Sequence, residues 1–142
     1  MGFIDTPGQA LCLFLDGAHA LVADGSAGLQ VVDITTPAAP RIAGSADTPG
    51  YALGVAVSGR HAYVADGPSG LQVIDIKIPA SPEAVGSVDT PSHAYGVAVS
   101  GDYAFVADAY SGLQVIDVSV PESPQIVGSA DTPESARCVV VT

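Results

Sequence analysis

Fifteen acidic residues, three histidines and two cysteines carry most of the chemistry open to this 142-residue chain, against four lysines and arginines. The first question is whether any of them are spaced to act together. There is no His-x-x-x-His pair and no Asp-x-Asp-x-Asp-Gly loop, so no segment has the spacing of a metal site. Neither a Gly-x-Ser-x-Gly elbow nor a Walker-type loop occurs. Cys12 and Cys138 belong to no Cys-x-x-Cys pair, and they are read as small interior side chains rather than a redox couple. His19, His61 and Tyr103 are evenly spaced along the chain, while His93 is out of phase with them. No nucleophile accompanies these histidines, so they are read as structural partners of aspartates. On this basis no catalytic residue, metal or cofactor is expected.

The formal charge of −11 excludes another class, because four cations cannot make the basic face of a nucleic-acid binder. No apolar run is long enough to span a membrane as a helix. The opening residues MGFIDTPGQA lack the basic-then-apolar layout of a signal peptide. With 48% hydrophobic residues, the chain has the material for a core.

The acids are strictly ordered along the chain. Asp-Thr-Pro begins at Asp5, Asp47, Asp89 and Asp131, a constant step of 42. Val-Ala-Asp begins at Val22, Val64 and Val106, and Gly-Leu-Gln-Val at Gly28, Gly70 and Gly112, with the same step. Residues 47–88 and 89–130 are identical at 27 of 42 positions. The chain therefore divides into units 5–46, 47–88 and 89–130, with a partial fourth unit at 131–142.

The second unit shows what must position these residues. Tyr51–Ser58 alternates bulky and small side chains with the period of a strand. Ser58-Gly59 is a turn, Arg60–Asp66 a second strand, Gly67–Gly70 a tight connection, and Leu71–Ile76 a third strand. Pro79 and Pro82 cannot sit inside a sheet, so they mark a rigid turn before a short fourth strand at Glu83–Val88. No segment has helical periodicity. Four short antiparallel strands in every repeat unit predict an all-β β-propeller: three full blades and one extra strand per chain. If Asp66 pairs with Gly70 across its hairpin, His61 falls opposite Asp75 and His19 opposite Asp33.

At Gly70–Ile76, Pro79, Pro82 and Val85-Gly86-Ser87 the sequence resembles the LVIVD repeat. Gly28–Ile34 with Pro37 and Pro40, and Gly112–Val118 with Pro121 and Pro124, resemble it equally. The resemblance implies a β-propeller of bacterial or archaeal surface or secreted proteins, and it brings no shared catalytic motif. The family often places Asp before the first of these prolines; here Thr36, Ile78 and Val120 stand instead.

If the strands run up and down, Asp5, Asp24, Asp47, Asp66, Asp89, Asp108, Asp131 and Glu134 gather on one rim with Arg137. Asp16, Asp33, Asp75, Glu83, Asp102, Asp117 and Glu122 share the other with Arg41, Arg60 and Lys77. The first rim is either a surface for cations or a basic partner, or a set of acceptors for turn amides. Its candidate interaction residues are Asp47, Tyr51, Asp66, Asp89, His93, Tyr95, Asp108 and Tyr110, with aromatic rings able to anchor a peptide or sugar.

Propellers close with about four to eight blades, and three would leave apolar flanks in water. Closure is expected either from a second chain, making a six-bladed homodimer, or from further blades of a longer parent. In the homodimer, Asp131–Thr142 would compete with the partner's Asp5–Asp16 for one innermost slot. The leading functional reading is a non-enzymatic module for protein, peptide or glycan interaction. Alternatives are an enzyme with a site at the mouth of the central channel and a purely structural repeat.

Overall fold

The computed structural model describes residues 2–142. Twelve strands follow in order: β1 (Cys12–Asp16), β2 (His19–Ala23), β3 (Leu29–Asp33), β4 (Arg41–Ala46), β5 (Gly54–Ser58), β6 (His61–Ala65), β7 (Leu71–Asp75), β8 (Glu83–Val88), β9 (Gly96–Ser100), β10 (Tyr103–Ala107), β11 (Leu113–Asp117) and β12 (Gln125–Ala130). They form three four-stranded antiparallel sheets, β1–β4, β5–β8 and β9–β12, each a meander in chain order. Among the described residues there is no helix, and so none long and apolar enough to cross a membrane. Residues 131–142 add an extended segment at the place of a fourth blade's innermost strand, tied on by an isolated bridge between Ala136 and Ala109.

Local chemistry sets this pattern. The first hairpin of each blade turns on Gly17, Gly59 or Gly101, all at φ near +60° with open space around them, a conformation that costs glycine little. The register is the one expected: Asp66 N–H bonds to Gly70 O at 2.8 Å, and His61 lies opposite Asp75 and His19 opposite Asp33. Between the third and fourth strands the register slips once per blade, at Val31/Val32, Val73/Ile74 and Val115/Ile116.

The core lies between the sheets. Leu21, Leu29 and Val31 of the first blade pack against Val55, Val64 and Ile74 of the second. Tyr63, Leu71 and Val73 of the second then pack against Val106, Ile116 and Val118 of the third. Alternation along each strand gives each blade two apolar faces, so a blade is stabilised only by neighbours. The outermost strands make the contact tight. A Cβ on Gly44 would collide with the carbonyl of Pro79, and one on Gly86 with the carbonyl of Pro121. Gly128, one repeat further on, has only Val115 Cβ in reach, at 3.8 Å.

Cys12 and Cys138 are not interior side chains: both are free and exposed. Cys138 lies in residues 131–142, the last segment of the arc. Cys12 is part of β1, which is exposed throughout.

Candidate functional site

The Asp-Thr-Pro turns and the Val-Ala-Asp turns do share one rim, and a side-chain link joins them. Thr6 Oγ1 donates to Asp24 Oδ1 at 2.7 Å, and the Gly8 N–H donates to Asp24 Oδ2 at 3.0 Å. Thr90 Oγ1 and the Ser92 N–H hold Asp108 in the same way, at 2.6 and 3.1 Å. In the first and third units it is therefore the threonine of the tripeptide, reaching across 18 residues, that binds the carboxylate. All three of Asp24, Asp66 and Asp108 are fully buried. A buried carboxylate needs such donors, because an unpaired one is costly. Gln30, Gln72 and Gln114 brace the same turns, donating to Ala27 O, Ser69 O and Ser111 O at 3.0, 2.9 and 2.9 Å.

The middle unit is looser. Gly50 N–H donates to Asp66 Oδ2 at 2.9 Å, but Thr48 Oγ1 and Asp66 Oδ1 are buried without a partner. Burial pushes the Asp66 carboxyl above its ordinary 3.8, against the opposing pull of Thr48 beside it and of the Gly50 N–H. Adjacent units are joined by backbone: Gly67 N–H bonds to Ala94 O and Ala94 N–H to Gly67 O, both at 3.0 Å.

The eight candidate rim residues thus separate into groups. Asp66 and Asp108 are fully buried in the staple, Asp108 held at both carboxylate oxygens and Asp66 at Oδ2 alone. Asp47, Asp89, Tyr51, His93 and Tyr110 are exposed, Tyr110 at 83%. Tyr51 and His93 occupy the same repeat position, shared with Gln9 and Ser135, which the sequence reading did not single out. Tyr95 is half-buried, with the Arg137 guanidinium 5.3 Å from its ring centroid. It lines an axial groove of about 290 Å³ with Leu53, Arg137, Cys12 and Cys138, a site that Tyr51, His93 and Tyr110 do not touch. Four innermost segments come together there, which explains Gly54 and Gly96: a Cβ on either would lie 2.9 Å from Tyr95 O or 3.0 Å from Arg137 O.

On the opposite rim, Asp33, Asp75 and Asp117 are engaged locally. Thr35 Oγ1 and N–H donate to Asp33 at 2.6 and 2.8 Å, and Ser119 Oγ and N–H to Asp117 at 2.6 and 2.9 Å. Asp75 takes the Arg60 guanidinium and the Lys77 N–H, the latter at 2.8 Å. These donors hold all three carboxyls below their ordinary 3.8. His19 and His61 therefore sit in register with aspartates whose hydrogen bonds go to other groups. Among the described residues no three His, Cys, Asp or Glu side chains are grouped as a metal ion would need.

The family profile of the LVIVD repeat matches residues 7–48, 49–90 and 91–132, three times in succession. The chain belongs to the LVIVD-repeat family. No curated protein matches it. In solved structures the LVIVD arc is similar to the computationally designed Ika4 protein, with a TM-score of 0.79 at 11% identity, over 97% of this chain and 82% of that one. It is also similar to the computationally designed Ika8 protein, with a TM-score of 0.74 at 11% identity, over 94% of this chain but only 40% of that one. At such identity the likeness concerns fold alone. One arc fitting chains of such different length means that its blade-to-blade geometry is shared, while the number of blades is left free.

Proposed function

We propose that this LVIVD-repeat chain is a non-enzymatic binding module that completes its ring with a second copy of itself. The six-bladed homodimer then presents the Asp-Thr-Pro rim to a protein, peptide or glycan partner at or outside a bacterial or archaeal cell surface. The observation that carries the reading is Gly128. Its equivalents Gly44 and Gly86 are glycine because the next blade's proline turn presses on them, whereas Gly128 keeps the residue type without the neighbour. The faces agree: Leu13 and Leu15 on one flank and Val127 on the other are open to water, and such surface is normally covered. The rim reading rests on varied exposed groups (Tyr51, His93, Tyr110) mounted on a repeated staple, the way loops carry function on a rigid scaffold.

Sedimentation of the whole chain tests closure, with the mass of two chains expected. Peptide and glycan arrays test the rim, where binding should fall in Tyr51→Ala and Tyr110→Ala. Binding that survives both substitutions would move the site away from this rim.

A further inference from the structure

Two short segments occupy places that the repeat assigns to blades outside the three. Gly2–Ile4 stand one repeat before Gly44–Ala46. A Cβ on Gly2 would strike the Pro37 carbonyl and Ala38, the collision that Gly44 has with Pro79 and Gly86 with Pro121. Ile4 packs on Ala20, Val22 and Val32, on the first blade's free face. On the other flank, Ala136 stands one repeat after Ala94 and bridges to Ala109 as Ala94 does to Gly67, with N–H···O distances of 2.8 and 3.0 Å. Val139–Val141 then line a groove of about 280 Å³ that also includes Phe14 and Ala98. Each flank is thus capped by a piece of this chain shaped like the missing neighbour.

These are the places a second copy must take. In a ring of two copies, Gly128–Ala130 of one lies where Gly2–Ile4 of the other lies, and residues 5–16 of one lie where 131–142 of the other lie. β12 is paired with β11, and β1 with β2, along their lengths. Residues 2–4 and 131–142 have no ladder, and the Ala136–Ala109 bridge is isolated. The less firmly held members should therefore yield. Thr132 fits this: with Asp24 already bound by Thr6, its hydroxyl donates to Glu134 O at 2.7 Å in an exposed loop. Ala10, one repeat before Ala52, has no bridge of its own among the described residues.

We infer that residues 131–142, together with 2–4, are in-cis caps that compete with a second copy, so that closure proceeds by displacement. Ala10 of the incoming copy takes the Ala109 backbone from Ala136. This rests on the two-copy ring proposed above. The test is the self-association constant of the full chain and two proline variants, measured by sedimentation equilibrium. Ala136→Pro removes the N–H that binds Ala109 O in the cap, and should tighten the dimer by about tenfold. Ala10→Pro removes the N–H that replaces it, and should weaken the dimer by about the same factor. If Ala136→Pro weakens the dimer and Ala10→Pro leaves it unchanged, residues 131–142 are the exchanged strand and the inference is overturned. A dimer indifferent to both overturns it as well. A single-chain mass for wild type and both variants at every concentration instead removes the two-copy ring beneath it.

Discussion

Gly86 and Gly128 hold the same place in successive blades, and their surroundings differ completely. At Gly86 the outermost strand meets the Pro121 turn so closely that no side chain could enter; at Gly128 the nearest atom is Val115 Cβ, at 3.8 Å. Leu71 and Leu113 repeat the contrast in the core, the first fully buried between blades and the second partly open. Sequence is constant across the pairs, so the difference comes from position in the arc. The junction residues are at work in blades one and two and idle in blade three. That pattern is expected of a repeat whose stability resides in neighbour contacts.

Substitutions can break this comparison. Leu71→Ala should cost the folded chain about 3 kcal/mol in denaturant melts, and Leu113→Ala about 1 kcal/mol when the chain is dilute. Raising the concentration until copies associate should close that gap; a gap that never narrows contradicts burial of Leu113 by a second copy. Gly86→Ala should cost about 2 kcal/mol through overpacking, whereas Gly128→Ala should leave the dilute melt within about 0.5 kcal/mol of wild type. Equal effects would mean that the two positions are not in different surroundings.

The staple sharpens the contrast between blades. Asp108→Asn deprives Thr90 and Ser92 of their charged acceptor and should cost about 1–2 kcal/mol, while Asp66→Asn, in the looser unit, should cost less at pH 7. The pH dependence follows from the directions of the shifts. Asp66, raised above 3.8, contributes stability that is present below 3.8 and lost as pH rises through its higher folded value. Asp33, Asp75 and Asp117, held below 3.8, contribute stability that is present above 3.8 and lost as pH falls through their lower values. On acidification from pH 7, wild type should therefore gain on Asp66→Asn before it begins to lose on Asp75→Asn, read as shifts in Tm. Arg60→Ala removes an exposed ion pair with Asp75 and should have the smallest effect of the series, leaving the melt close to that of wild type.

Much of the fold was legible before any coordinate. The constant repeat step, the four strands of a blade and the registers of His61 with Asp75 and His19 with Asp33 all follow from local turn chemistry and a period of two. What stayed hidden depends on contacts between distant segments. Asp66 and Asp108 looked like rim carboxylates beside Asp47 and Asp89, because the reach of Thr90 to Asp108 spans 18 residues. The exposure of Cys12 and Cys138 depends on the place of their segments in the arc, which composition cannot report. The approach of the Pro79 and Pro121 turns to Gly44 and Gly86 is likewise a contact between blades, which no single strand's pattern reports.

Sedimentation equilibrium on wild type and Gly128→Val, over a wide range of concentration, decides whether the open flanks seek each other. A ring of two copies requires the wild-type mass to climb from that of one chain towards that of two, with Gly128→Val held at a single chain. A folded wild type that stays at one chain throughout, whether or not Ala136→Pro loosens its cap, would contradict it, as would a Gly128→Val variant that pairs just as readily.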